Sequence, residues 1–354
     1  MSFDRRGKIE IAGRAIGPGW PCFVIAEAGV NHNGVRERAL RLIEIAAEAG
    51  ADAVKFQTFS AERLTTRSAP KAAYQVESTN ARESHYEMLA RLELSEEDHR
   101  ALARHCAERN ILFLSTPFDE AAADMLERLG VAAFKLSSGD LTNLGFLRYV
   151  SSKGKPLIVS TGMATLDEVE LAVHAIASSG SVPYALLHCV SAYPAPPSSV
   201  NLRAMATLAR AFRVPVGFSD HTEGCEIALA SVALGACIVE KHFTTDRNLS
   251  GPDHRASLEP GQLRDLVRGI RAVESSLGDG RKVPTQAESA MAAVARRSLV
   301  ASRRVEAGAK MTDADLIAKR PGTGISPGLV EQVIGREARV MIPEGSVIAW
   351  EMFA

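Results

Sequence analysis

The sequence predicts an α/β fold: an eightfold βα barrel followed by a small, mostly β domain. Three observations predict it. Eight short apolar runs alternate with eight segments of helical apolar spacing. The alternation stops near residue 277, where the composition changes. The 354 residues exceed the roughly 250 of such a barrel by enough for one small module.

The runs are "CFVIAE" (22–27), "AVKFQ" (53–57), "ILFLST" (111–116), "AAFKLS" (132–137), "PLIVST" (156–161), "YALLHC" (184–189), "VPVGFS" (214–219) and "CIVEKH" (237–242). Each is short, apolar and rich in β-branched or aromatic residues, as a strand buried on both faces should be. The segments with i, i+3, i+4 spacing are 35–49, 95–109, 119–129, 143–153, 165–178, 201–212, 224–235 and 260–276. Ser95, Thr165 and the pair Pro260-Gly261 mark helix starts, and Gly50, Gly130, Gly180 and Gly235 stand where helices close. Eight βα units in one series imply a parallel sheet closed on itself, the TIM-barrel arrangement. An open doubly wound sheet would carry a glycine-rich phosphate loop after the first strand, and "EAGVNHNG" (27–34) is not one.

The connection 60–94 is longer than barrel loops usually are, which points to function at the C-terminal face. Residues 278–290 read as a linker between a barrel domain at 1–283 and a second domain at 284–354. In the latter, "VEAGAKMTDADL" (305–316) and "IPEGSVIAWEMF" (342–353) share one frame around a glycine. They read as repeated strand–turn–strand units flanking the Gly/Pro loop "KRPGTGISPG" (319–328).

Composition excludes several classes. A net charge of −1 with mixed signs gives no basic stripe for nucleic acid. The longest apolar run, "IALASVALGACIV" (227–239), is short of the ~18 residues of a membrane span. "MSFDRRGKIE" has no signal-peptide pattern. The five cysteines show no C-x-x-C spacing, which fits a reducing cytoplasm.

In a barrel, reactive groups come from the C-terminal ends of different strands. Here those ends deliver Glu27; Lys55 and Gln57; Thr116; Lys135 with Ser138 and Asp140; Ser160; Tyr193; Ser219 and His221; and Glu240 with His242. Taken singly, each has an ordinary explanation as a solvated lysine, a hydrogen-bonded histidine or a turn serine. Together they change the reading. Lys55 and Lys135, inside apolar strands, need anionic partners if buried. Glu27 and Glu240 could serve, as could a phosphate flanked by Thr116, Ser138, Ser160 and Ser219. His221 and His242 end neighbouring strands, and imidazoles beside carboxylates suit Mn²⁺, Zn²⁺, Fe²⁺ or Co²⁺. Two independently satisfied histidines fit the spacing equally well. His32, His85, His105, His174 and His254 read as surface or loop residues, and Lys71, Arg67 and Arg82 as solvated.

The motifs "FVIAEAGVNHNG", "AVKFQTF", "FLSTPFD", "KLSSGD", "IVSTGM", "LLHCVSAYP", "GFSDHT", "EKHFT" and "GPDHRASLEP" together resemble the sialic acid synthase family of bacterial N-acetylneuraminate and legionaminate synthases. "AKRPGTGISP" and its flanking repeats resemble that family's antifreeze-like (SAF) domain. The resemblance spans essentially the whole chain.

It implies a transferase that condenses phosphoenolpyruvate with the open-chain aldehyde of an N-acetylated amino sugar and releases phosphate by C–O cleavage. The implied metal is Mn²⁺, with Mg²⁺ or Co²⁺ as alternatives, held by His221 and His242. Lys55, Thr116, Lys135, Ser138, Ser160 and Ser219 would bind phosphoenolpyruvate. Glu27, Gln57, Tyr193 and Asp253 would meet the sugar, and Arg320 would reach it from the neighbouring subunit of a domain-exchanged homodimer. The first expectation for the sugar is N-acetylmannosamine. The alternatives are 2,4-diacetamido-2,4,6-trideoxymannose, giving N,N'-diacetyllegionaminate, and the 6-phosphate of N-acetylmannosamine. Two motifs depart from the family's pattern: "SSGD" stands where several members have "GSGE", making Asp140 the proton-handling carboxylate, and Ser191 replaces an asparagine. A Schiff-base aldolase using Lys55 or Lys135, and a non-catalytic sugar-binding protein, are the competing functions.

Overall fold

The computed structural model describes residues 7–79 and 82–354. The chain divides into two compact units, Met1–Gly278 and Asp279–Ala354.

The first unit is the expected barrel. Its strands are β1 (Phe23–Gly29), β2 (Ala53–Thr58), β3 (Leu112–Pro117), β4 (Phe134–Leu136), β5 (Leu157–Ser160), β6 (Tyr184–Cys189), β7 (Val216–Asp220) and β8 (Ile238–His242). Their order in the sheet is β3-β2-β1-β8-β7-β6-β5-β4, with every ladder parallel. β3 and β4 lie side by side and bring the ring to near closure. The helices fall close to the expected segments, from Arg36–Glu48 to Pro260–Ser276. Ser95 and Thr165 cap theirs, each accepting from the backbone N–H three residues on.

Alternation along each strand builds two cores from one sequence. Val24 and Ala26 of β1, Val54 and Phe56 of β2 and Val239 of β8 face outward to the helices. Phe23, Ile25, Ala53, Leu114, Ile158, Leu187 and Ile238 fill the barrel's lower interior. The barrel floor holds an element the sequence reading did not foresee, an antiparallel hairpin pairing Ile9 with Ile16 and Ile11 with Arg14. Its Ile9, Ile11 and Ile16 join the interior cluster. Polar side chains are thereby confined to the upper interior.

The long connection 60–94 is not structureless. It carries the helices Ala61–Leu64, Ala73–Ser78 and His85–Leu92. Val30, Phe59, Met88 and Leu92 form a small core beneath it. Lys71 is not solvated as expected: its side chain is 4 % exposed, with Nζ 3.4 Å from Glu83 and 3.0 Å from Thr79 Oγ1.

In the second unit, β9 (Ser298–Ala301) pairs antiparallel with β10 (Leu316–Lys319). The two glycine-centred repeats meet at Val305 and Ile342, whose backbones exchange hydrogen bonds of 2.9 Å. Leu299, Val305, Met311, Val333, Ile342 and Ile348 form its core. Part of the expected linker is helical: Gln286–Ala295 starts at a Thr285/Glu288 capping box, so order begins before residue 290.

Candidate active site

Ladder register assembles the site. His242 lies opposite Glu27, Glu27 opposite Lys55, Gln57 opposite Thr116, and Glu240 opposite Ser219. The side chains that share the inward face therefore collect at the strands' C-terminal ends. Just beyond Glu27 the chain must bend away, and Gly29 makes this possible with φ 52°. A Cβ there would sit 3.3 Å from Gln57 Nε2 and Glu27 Oε1 and 3.4 Å from His242 Cε1, so a side chain would crowd the site as well as strain the backbone.

Two buried lysines share one carboxylate. Lys55 Nζ is 3.0 Å from Glu27 Oε2, 3.7 Å from Glu240 Oε2 and 3.0 Å from Thr116 Oγ1. Lys135 Nζ is 3.4 Å from Glu240 Oε1 and donates to Ser160 Oγ at 2.7 Å. Ser219 Oγ donates to Glu240 Oε1 at 3.0 Å, and Gln57 Nε2 to Glu27 Oε1 at 3.3 Å. Burial pushes Glu240 toward protonation, but Lys135 and Lys55 outweigh it and hold it below the usual carboxylate range. Burial raises Glu27 against the pull of Lys55, and lowers Lys135. Glu27 Oε2 and Glu240 Oε2 face Lys55 as ion pairs without an aligned hydrogen bond, which leaves acceptor capacity on both.

Next to the lysines lies a small cradle. Ser138 Oγ accepts from Gly162 N–H at 2.9 Å and sits 3.1 Å from Cys189 Sγ. A Cβ at Gly162 would lie 2.5 Å from Ser191 Oγ, 2.7 Å from Cys189 Sγ and 2.9 Å from Ser138 Oγ, so only glycine lets these groups converge. Asp140 accepts from Ser137 Oγ at 2.5 Å, and burial raises its pKa.

The two strand-end histidines do come together, with ring centroids 5.6 Å apart. His221 Nδ1 is 2.7 Å from Val190 O, a bond that fixes the proton on Nδ1 and leaves Nε2 with its lone pair. His242 Nδ1 is buried, has no hydrogen-bond partner among the described residues, and lies 3.9 Å from Asp253 Oδ2. Burial lowers both imidazole pKa values, so both rings are neutral near pH 7. A neutral pair with an orphaned buried nitrogen fits a divalent ion with open positions. Among the described residues, no group of three or more His, Cys, Asp or Glu side chains could hold an ion. Behind the pair, on the outer face, Lys241 binds Asp220 Oδ2 at 2.8 Å and also the Thr222 carbonyl. The mixed charge that ends β8 is thus divided between two faces: Glu240 and His242 point in, and Lys241 points out to Asp220.

Asp253 is buried, and burial raises its pKa to about 6, with Lys55 opposing. A carboxyl raised from 3.8 in the unfolded chain contributes stability that is complete below pH 3.8 and lost as pH rises through about 6. Asp253→Asn in metal-free protein should therefore gain stability relative to wild type between pH 4 and 7, by roughly 2–3 kcal/mol. Urea unfolding at the two pH values checks this, and a pH-independent difference would contradict it.

Tyr193 lies tilted against His221, with ring centroids 4.2 Å apart, and meets His242 edge-on at 5.8 Å. Arg320, in the other unit, is exposed, and its Nε donates to Ala295 O at 2.9 Å. Sequence reasoning missed the Gly162 N–H, the Val190 carbonyl, Cys189 as a cradle wall, and Tyr74, which stacks on Tyr193 at 5.1 Å. His32 and His254 do lie in loops but not on the surface: both are fully buried. His254 bonds Thr244 Oγ1 at 2.6 Å and Asn33 Oδ1 at 3.1 Å, tying the loops after β8 and β1 together.

Residues 42–282 match the NeuB family. The chain belongs to the NeuB family. Residues 296–354 of this NeuB-family chain match the SAF domain. Similar chains include the N,N'-diacetyllegionaminic acid synthases of Legionella pneumophila, 45 % identical over 95 % of both chains, and Campylobacter jejuni, 46 % identical over 92 % of this chain and 98 % of that one. Among solved structures, the N-acetylneuraminic acid (sialic acid) synthetase of Leptospira borgpetersenii serovar Hardjo-bovis matches at TM-score 0.72 and 36 % identity, covering 80 % of this chain and 94 % of that one. No helix among the described residues is long and apolar enough to cross a membrane.

Proposed function

We propose that this NeuB-family chain is a phosphoenolpyruvate-dependent nonulosonic acid synthase whose acceptor is 2,4-diacetamido-2,4,6-trideoxymannose. The observation that carries the reaction is the pair of buried lysines sharing Glu240, ringed by hydroxyls, beside two neutral histidines. The sequence reading put N-acetylmannosamine first. Similarity of 45 and 46 % to two N,N'-diacetyllegionaminic acid synthases reverses that order. A 6-phosphate would need extra cations, for which the long connection has Lys71, Arg67 and Arg82; of these Lys71 is engaged by Glu83 and Thr79, which favours an unphosphorylated sugar.

In this reading Lys55 and Lys135 hold the phosphate and carboxylate of phosphoenolpyruvate, with Thr116, Ser138, Ser160 and Ser219 donating hydroxyls. Gln57, Tyr193 and Asp253 orient the sugar, while His221 and His242 hold a divalent ion, Mn²⁺ before Mg²⁺ or Co²⁺. When bound, the ion supplies Lewis acidity toward the aldehyde. Carbon C3 of phosphoenolpyruvate bonds to the aldehyde carbon, and the aldehyde oxygen takes a proton from Glu27. Glu27 is suited to this because burial favours its protonated form. Water adds at C2 and returns a proton to Glu27. The C2 hydroxyl then gives its proton to Asp140, the bond between C2 and the bridging oxygen breaks, and phosphate leaves with that electron pair and takes the proton from Asp140.

Incubation with phosphoenolpyruvate, Mn²⁺ and each sugar in turn tests the proposal. Phosphate release should be at least tenfold faster in kcat/KM with the diacetamido sugar. A preference for N-acetylmannosamine would overturn the choice of acceptor.

We place the enzyme in the cytoplasm as a homodimer in which Arg320 of one chain serves the other's barrel. A unit of this size has a small core and benefits from a docking surface. Mixing Arg320→Ala and His221→Ala chains should then restore about a quarter of wild-type activity, since one of the two sites in a mixed dimer is intact. If the subunits exchange and no activity returns, the arginine acts within its own chain.

A further inference from the structure

We infer that Tyr74 is a specificity-determining residue, forming an apolar wall for the far end of the acceptor sugar. This deepens the proposed function and rests on it.

Tyr74 lies on the helix Ala73–Ser78, in the long connection after β2. Six residues are too few for a helix to persist alone, so tertiary contacts hold it. Two of these tie it to the loop that carries Asp253. Gly251 N–H donates to Ser78 O at 3.2 Å, and Ser78 Oγ donates to Pro252 O at 3.4 Å. The other contact is aromatic. Tyr74 stacks on Tyr193 with centroids 5.1 Å apart and planes at 27°. Tyr193 in turn lies tilted against His221, centroids 4.2 Å apart, and meets His242 edge-on. A row of rings therefore runs outward from the histidine pair, and Tyr74 is its last member.

The row has a direction that matches the substrate. The aldehyde carbon belongs at the histidine pair, and the remaining carbons of a six-carbon acceptor extend away from it. Only the distal carbons and their substituents reach the ring beyond Tyr193. In 2,4-diacetamido-2,4,6-trideoxymannose these are a methyl and an acetamido group. In N-acetylmannosamine they are hydroxyls, which lose hydration against an aromatic face. Burial raises the Tyr74 pKa, as does the Asp253 carboxylate, which agrees with a largely covered phenol near the loop that carries Asp253. Its hydroxyl accepts only a long bond from Gln75 Nε2 at 3.4 Å, so the feature the fold fixes is the ring. One methyl-sized contact in an apolar pocket is worth about 10–200-fold in discrimination.

Steady-state kinetics of Tyr74→Ala and Tyr74→Phe, with both sugars and saturating Mn²⁺, test this. Tyr74→Ala should lose at least tenfold in kcat/KM for the diacetamido sugar and less than threefold for N-acetylmannosamine. The KM for phosphoenolpyruvate should stay within twofold. Tyr74→Phe keeps the ring and should stay within threefold of wild type for both sugars. An unchanged sugar ratio in Tyr74→Ala, or an equal loss in Tyr74→Phe, would overturn the wall while leaving the synthase reading intact. Absence of turnover by the wild-type protein with either sugar would overturn the synthase reading, and the role of Tyr74 with it.

Discussion

His242→Ala is expected to lower kcat at least a hundredfold while leaving phosphoenolpyruvate affinity within about threefold, because a Lewis acid at an aldehyde is worth several kcal/mol. His242 faces the barrel interior opposite Glu27, and among the described residues its Nδ1 finds no hydrogen-bond partner. A buried nitrogen without a partner is costly unless something else occupies it. His221 offers the complementary nitrogen, since Val190 fixes its proton on Nδ1. His221→Ala should therefore behave like His242→Ala. Exhaustive EDTA treatment of the wild-type protein should reduce turnover to the same level, and Mn²⁺ should restore it. Isothermal titration gives a readout that does not depend on turnover: each variant should lose Mn²⁺ affinity at least tenfold. Undiminished turnover in chelated protein would sink the metal assignment.

Lys135→Ala should raise the KM for phosphoenolpyruvate about ten- to a hundredfold, as expected when one charge-assisted contact of about 1.5–3 kcal/mol is removed. The lysine is fully buried among Glu240, Ser160 and the Leu136 carbonyl, so its charge is already desolvated and aimed. Lys135→Met keeps the volume and separates lost charge from lost packing. Lys55→Ala should act in the same direction. It should also destabilise the fold, because Glu27 would lose its nearest cation. Borohydride reduction in the presence of substrate should trap no adduct on either lysine. An unchanged phosphoenolpyruvate KM in both variants would show that the phosphate lies elsewhere.

The barrel was legible because its signals are local. Ser95 and Thr165 cap the helices they precede, and each strand shows as a short apolar run between turn residues. The inward face was legible for the same reason. Lys55 with Gln57, and Glu240 with His242, are two apart, so strand periodicity alone puts each pair on one side. What could not be read depends on contacts distant in sequence. The hairpin Ile9–Ile16 is too short to announce itself, and its apolar side chains find their place only against the barrel floor. The helix Ala73–Ser78 is held by Gly251, Pro252 and Tyr193, all more than a hundred residues away. His32 and His254 looked like loop residues, and they are; their burial comes from two loops packing together. The helix Gln286–Ala295 is different. Its capping box at Thr285 and Glu288 was present in the sequence, and the surrounding glycine, proline and charge led to its being read as linker.

In the proposed reaction, groups at the upper end of the barrel join phosphoenolpyruvate to an aldehyde and expel phosphate from C2. Phosphoenolpyruvate labelled with ¹⁸O at the bridging C2 oxygen tests it most directly, incubated with the protein, Mn²⁺ and 2,4-diacetamido-2,4,6-trideoxymannose. The account predicts phosphate release that requires the sugar, with the label carried entirely by the phosphate and one unlabelled oxygen from water at C2 of the product. Label retained at C2, or phosphate released at the same rate without the sugar, would contradict it.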